Sequence, residues 1–202
     1  MKKGILLVVS GPAGSGKGTV NAHLLKRDDF EYSVSATTRT ARPGEVNGVN
    51  YHYITKEEFL GRIERGEMLE YTEYCGNFYG TPLKEAEEVL RSGKNLILEI
   101  EVEGARNVKA KYPDAVLVML LPPSYSVQEA RLRGRGTETE QKILERLARA
   151  KEEIRFADAY DYVVYNYDGH DEEAAEQILA IVTAERCSIS RNKTVAEDYL
   201  KA

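Results

Sequence analysis

Gly11-Pro12-Ala13-Gly14-Ser15-Gly16-Lys17-Gly18-Thr19 stands directly behind the apolar run Ile5-Leu6-Leu7-Val8-Val9, and this junction decides the fold. An apolar strand that runs into a glycine-rich loop and then opens a helix, here with Val20, Leu24 and Leu25 on one face, is the setting of a phosphate-binding P-loop. Glycines at 11, 14 and 16 permit turns that a Cβ would block, so several N–H groups can converge on one anion at a helix N-terminus. Lys17 adds a positive charge able to follow the β- and γ-phosphates of a nucleoside triphosphate. The full pattern places Ser or Thr after the lysine to touch Mg2+; here Gly18 holds that place and Thr19 is the nearest hydroxyl.

Downstream, Ser35 to Arg39, Arg42-Pro43-Gly44-Glu45 and Tyr51-His52-Tyr53 break the strand-helix rhythm and interleave arginines with tyrosines. Arginine offers a planar fork for phosphate and tyrosine an uncharged donor, so this insertion reads as an anion site or, alternatively, as a solvated polar hairpin. A helix is expected from Glu57 to Arg65 with Phe59, Leu60 and Ile63 inward, then a strand from Met68 to Tyr74. Gly76 to Gly80 reads as a turn, and Thr81-Pro82 as the cap of a helix ending near Arg91. Parallel α/β alternation follows, with strands 95–100, 115–121 and 162–165 and helices over 104–111 and 171–186. Capping boxes at Ser126 and Thr137 predict two further helices, the second running to about Ala157 with Ile143, Leu147 and Ile154 inward and Lys142, Arg146 and Arg149 elsewhere. That glycine-hinged basic stripe is either solvated surface or a mobile lid. Ligands bind at the carboxyl ends of such strands, so Gly11 to Lys17 and Glu99 to Glu101 are expected to share one crevice.

The 202 residues suit one domain of ordinary size, and 42% hydrophobic with 30% charged residues describes a soluble globular protein. A net charge of −5 argues against sequence-independent binding to nucleic acid or membrane, so phosphate must meet a local basic cluster. Cys75 and Cys187, far apart, suggest reduced thiols in the cytoplasm and neither a metal site nor a disulfide framework. Lys2 and Lys3 before a short apolar run do not make a targeting signal, because the run leads straight into the P-loop. A guanine-nucleotide switch is also excluded: no Asn-Lys-x-Asp base reader is present, Asn192-Lys193-Thr194-Val195 lacking the aspartate.

Gly-Lys-Gly-Thr also occurs in nucleoside monophosphate kinases. Ser35-Ala36-Thr37-Thr38-Arg39 with Arg42-Pro43-Gly44-Glu45, then Asn77-Phe78-Tyr79-Gly80-Thr81, then Leu132 to Thr137 resemble the successive signatures of guanylate kinase, in the family's order over roughly residues 4–186. The resemblance implies an α/β P-loop kinase: a core (1–33, 84–124 and 151–186) with a central parallel sheet flanked by helices, an inserted GMP-binding flap (34–83), a helical lid (125–150) and a polar C-terminal tail (187–202). It implies transfer of the ATP γ-phosphoryl group to GMP or dGMP, with Mg2+ as cofactor, no nucleic-acid or membrane partner and a cytoplasmic location; monomer and homodimer both stay open. Carried over by motif, Lys17, Arg135 and Arg146 would be catalytic, and residues 11–19 (Gly11, Pro12, Ala13, Gly14, Ser15, Gly16, Lys17, Gly18, Thr19) with Arg133 and Asn166 would bind ATP. Arg39, Arg42, Tyr51 and Tyr79 would hold the GMP phosphate, and Ser35, Glu70, Thr81 and Glu101 would surround the guanine. Thr19 would meet the metal, with Glu99 in an outer-sphere role.

The base assignment has a chemical rationale. Guanine offers N1–H and an amino group side by side to a carboxylate, whereas the adenine N1 lone pair would repel one. The chain departs from the family's usual Asp-Ile-Asp at Glu99-Ile100-Glu101 and from Val-Asn-Asp at Tyr165-Asn166-Tyr167. Two rival readings are a guanylate-kinase-like protein-binding module, disfavoured by the intact lysine-bearing loop, and a kinase of the same fold acting on a ribose bisphosphate, disfavoured by the carboxylates.

Overall fold

The computed structural model describes residues 3–74, 76–134, 136 and 139–201. The helices and strands, in chain order, are β1 (Leu6–Ser10), α1 (Lys17–Leu24), β2 (Phe30–Tyr32), β3 (Ala36–Thr37), β4 (His52–Tyr53), α2 (Lys56–Glu64), β5 (Met68–Tyr74), β6 (Asn77–Pro82), α3 (Leu83–Arg91), β7 (Asn95–Glu99), α4 (Val102–Lys111), β8 (Val116–Leu121), α5 (Tyr125–Gly134), α6 (Glu140–Glu153), β9 (Tyr162–Tyr165), α7 (Asp171–Cys187) and α8 (Val195–Lys201). A 3-10 segment, Ile154–Ala159, continues α6, and a shorter one, Ile189–Arg191, precedes α8.

Five strands form the central sheet in the order β2-β7-β1-β8-β9, every adjacent pair parallel. A parallel sheet covered on both faces explains why β1 carries apolar residues without alternation. Its residues divide between the faces by the two-residue strand period. Ile5, Leu7 and Val9 pack with Val20 and Leu24 of α1 and with Ala174, Ile178 and Val182 of α7. Leu6 and Val8 pack with Ala86 and Leu90 of α3 and Ala105 and Val108 of α4. Each such burial is worth about 1.5–3 kcal/mol, so the strand that delivers the P-loop is among the best-anchored parts of the molecule.

A second sheet, β4-β3-β6-β5, is mixed, with β3 and β4 parallel and the β3/β6 and β5/β6 pairs antiparallel. Its core is small: Ala36, Phe59 and Met68, with Ile54, Ile63 and Phe78 against them. α5 and α6 bury a fourth cluster, Leu132, Ile143 and Leu147, against Ala13 of the P-loop.

Several expectations are corrected here. Of residues 76–80 only Gly76 belongs to the turn; from Asn77 the chain is strand β6, because pairing with β5 supplies the backbone partners that local turn signals do not. Pro82, not Thr81, precedes α3, and the Thr81 hydroxyl donates to Glu70 instead of capping the helix. Ser124, not Ser126, accepts from the Val127 amide at the start of α5. Thr139 caps α6, and Thr137, expected in that role, lies outside the described residues. α4 begins at Val102, two residues earlier than expected. Leu25, Leu60 and Ile154 are exposed rather than inward. Leu25 and Ile154 stand at helix C-termini, and Phe59 and Ile63 alone cover the small core from α2.

Candidate active site

The carboxyl ends of β1 and β7 lie side by side, Val9 opposite Glu99, and a cavity of about 520 Å³ opens above them. One wall is the P-loop. Gly11, Gly14 and Gly16 adopt φ of 149°, 86° and 87°, which glycine enters without the steric cost of a Cβ. A Cβ on Gly11 would stand 2.1 Å from the Leu120 carbonyl oxygen, and one on Gly16 would stand 2.3 Å from Asn166 Nδ2. Gly16 is the N-cap of α1 and has no side chain to cap it, and no acidic residue stands in the first helical turn, so this helix end is electropositive and its amides remain available to an anion. Lys17 Nζ donates to the Gly11 and Pro12 carbonyls, at 2.6 and 3.4 Å, and lines the cavity with Gly18 and Thr19.

The loop is held from behind. Asn166, at the end of β9, donates from Nδ2 to the Ser15 carbonyl at 2.9 Å, and Arg131 of α5 donates to the carbonyls of Gly14 and Asn166 at 3.3 and 2.8 Å. Asp168 fixes the same guanidinium at 2.6 Å. Asn166 thus props the loop and does not line the cavity. Arg133 lies outside the cavity too, paired with Glu129 and Glu140. The arginine that reaches the P-loop is Arg131, which sequence reasoning passed over; the two differ by two helix positions and so face different ways.

At the end of β7, Glu99 accepts from Asn21 Nδ2 at 2.9 Å and faces the Tyr32 hydroxyl, whose pKa is pushed up by burial and by this carboxylate. The opposite wall comes from the second sheet and presents Ser35, Tyr51, Glu70, Thr72 and Tyr79. A register shift in β5 between Met68 and Glu70 aligns Glu70 with Thr81, whose hydroxyl donates to Glu70 Oε1 at 2.9 Å. Glu70 is only 2% exposed, and its Oε2 has no hydrogen-bond partner among the described residues. Gly104 makes room for that oxygen, since a Cβ there would lie 3.1 Å from it. Burial pushes the Glu70 carboxyl up to about 7, against the opposing bonds from Thr81 and the charge of Lys111.

The arginine-tyrosine group is assembled, but differently from expectation. Arg39 donates both terminal nitrogens to Glu45, each at 2.9 Å, and lies 5.5 and 5.8 Å from the centroids of Tyr51 and Tyr53. The Arg39 guanidinium and then the Arg42 amide hold the Glu45 carboxyl down at about 2. Tyr51 and Tyr79 meet edge to face at 6.0 Å. The Arg42 side chain is exposed, and its amide donates to Glu45 at 2.7 Å. From α6, Arg146 and Arg149 reach the cavity, and Arg149 pairs with Glu101. Burial raises the pKa of the Glu101 carboxyl, with Arg149 pulling the other way. Arg135 lies outside the described residues.

A cradle of loop amides and a lysine thus faces, across one cavity, a buried carboxylate with an unsatisfied oxygen. The first suits a polyphosphate, and the second suits a ligand with paired N–H donors. The family model described as guanylate kinase matches residues 3–185. The chain is 52% identical over 191 residues to a guanylate kinase of Halalkalibacterium halodurans, spanning 94% of this chain and 93% of that one. It is 50% identical to a guanylate kinase of Lactococcus lactis, over 98% of this chain and 95% of the relative. The crystal structure of guanylate kinase from Anaplasma phagocytophilum superposes with a TM-score of 0.76 at 35% identity, covering 94% of this chain and 90% of that one.

Proposed function

The chain belongs to the guanylate kinase family, and from that premise we propose how its cavity performs transfer of the ATP γ-phosphoryl group to GMP. The activity is that of an ATP:GMP phosphotransferase. The observation that carries the site assignment is the unpartnered Glu70 Oε2, in the same cavity as Lys17.

The P-loop amides of residues 11–19 and Lys17 hold the donor phosphates, Lys17 exchanging its bonds to Gly11 and Pro12 for phosphate oxygens. Arg39, Arg42, Tyr51 and Tyr79 take the acceptor phosphate. Ser35, Glu70, Thr81 and Glu101 take the base, Thr81 orienting Glu70 so that its other oxygen accepts from guanine. A GMP phosphate oxygen attacks the γ-phosphorus, a new P–O bond forms, and the bond to the β,γ-bridging oxygen breaks to release ADP. Phosphoryl transfer needs little covalent help, so the protein contributes position and charge. Arg146 and Arg135 offset the charge that moves between the phosphates. Residues 34–83 act as the acceptor flap and 125–150 as the lid, and their closure excludes water.

Mg2+ suits the donor wall. Thr19 offers a hydroxyl beside Lys17, and Glu99, held by Asn21, offers a carboxylate; among the described residues no cluster of three His, Cys, Asp or Glu would bind a metal without the phosphates. When bound with ATP, the ion neutralises charge on the β- and γ-oxygens. No helix among the described residues is long and apolar enough to cross a membrane, and two widely separated cysteines fit a cytoplasmic setting.

The test is ADP release from Mg-ATP with GMP, AMP or no acceptor. Release should depend on GMP, fall on the order of 10⁴-fold with AMP because the carboxylate loses its donors, and fall about 10³-fold in Lys17→Ala. Equal rates with AMP would refute the role of Glu70.

A further inference from the structure

Glu101 is the N-cap of α4, yet its side chain makes no capping bond to that helix. Its Oε2 accepts instead from Arg149 Nη2, on α6 across the cavity. Arg149 is itself braced one helical turn on, where its Nε donates to Glu153 at 2.9 Å. All three side chains line the cavity that holds Lys17 and Glu70. Arg149 and Glu101 are each 41% exposed, and an ion pair so open to water adds little to stability. Its effect is geometric: it fixes a carboxylate that carries one more rotatable bond than the usual aspartate. The bond occupies one carboxylate oxygen, and a carboxylate accepts at both, so Oε1 can take a base donor while Arg149 stays in place. Arg146 stands three residues earlier on the same helix and lines the same cavity.

We propose that Arg149 is a positioning residue for acceptor specificity, holding Glu101 toward the amino edge of the acceptor base and tying that reading to the helix that carries Arg146. The inference rests on the base-reading role proposed above for Glu101.

The experiment compares kcat/KM for GMP and for inosine monophosphate, which keeps N1–H and lacks the exocyclic amino group, in the wild type, Arg149→Ala, Glu101→Ala and the double variant. Both acceptors are measured on one preparation, so their ratio is independent of the fraction folded. Arg149→Ala should lower the GMP value about tenfold through KM and leave inosine monophosphate and the KM for ATP within about twofold, the worth of one charge-assisted hydrogen bond. In the Glu101→Ala background the same change should leave the ratio where it stands, and Arg149→Lys should recover part of it. Equal losses for both acceptors would make Arg149 a general charge and overturn the proposal, as would an unchanged ratio in Arg149→Ala when Glu101→Ala lowers it. An unchanged ratio in Glu101→Ala itself would refute the base-reading role, and the inference with it, while Glu70 and its discrimination against AMP would stand.

Discussion

The two walls of the cavity are built by different physics. The P-loop wall is backbone, positioned by a fully buried strand, three glycines with positive φ and props from Asn166 and Arg131. The acceptor wall is side chains: Arg39 is already paired with Glu45, Glu101 with Arg149, and Glu70 is half satisfied, on a small sheet with a minor core. A wall of backbone, on which Lys17 changes partners, is otherwise complete before its ligand arrives, whereas a wall of paired charges must exchange or share partners throughout when the ligand binds. Donor recognition is therefore preorganised, and acceptor recognition is coupled to protonation and charge.

The strongest challenge to this contrast is Gly16→Ala, which forces a left-handed residue and drives a Cβ into Asn166 Nδ2. ATP affinity should fall about 100-fold, from αL strain plus displacement of the prop. GMP affinity should remain within about twofold, and calorimetric titration of each nucleotide separately would show it. A matched loss of GMP binding would mean that the walls are not independent.

Protonation of Glu70 sharpens the contrast. Its carboxyl titrates near 7 in the folded chain, above the ordinary 4.5, so the folded state holds the proton more tightly. The resulting stabilisation, about 3 kcal/mol at most, is full below pH 4.5 and is lost as pH rises toward 7. Guanine donors require the ionised form, so GMP should displace a proton. Its affinity should rise about tenfold per unit between pH 5.5 and 6.5 and level off above 7. Calorimetry in two buffers of different ionisation enthalpy reads the proton directly, and Glu70→Gln should remove the share of release and slope due to Glu70, leaving that of the GMP phosphate, whose second pKa is about 6. ATP affinity should lack this slope.

The smallest effect is expected at Glu45. Its carboxylate orients Arg39 beside Tyr51 and Tyr53, so Glu45→Gln should raise the KM for GMP roughly threefold to tenfold and barely change kcat, as loss of one charge-assisted contact does. A fall in KM would show that Glu45 competes with the phosphate rather than preparing for it.

The same division governs what the sequence discloses. The P-loop, the parallel strands and the shared crevice are legible because each is a local pattern: apolar runs, glycines at fixed spacing, charged strand ends. The second sheet is less so. β6 hides behind turn residues at Gly76 and Gly80, since its strand character comes from β5 and β3, and the Thr81 hydroxyl goes to Glu70 only because a register shift aligns them. The Arg39–Glu45 fork and the link from Glu101 to Arg149 depend on tertiary distance, to which spacing in the chain is blind. Arg131 and Arg133 look alike in sequence, and only the rotation of α5 decides which reaches Gly14.

The prop at Asn166 bears on the order in which the chain is made. The loop it supports emerges from the ribosome well before the amide that fixes the Ser15 carbonyl, which lies 151 positions later. A growing chain therefore carries its nucleotide motif long before that motif has its final shape, and ATP can recognise the finished cradle only after the last strand of the sheet has joined.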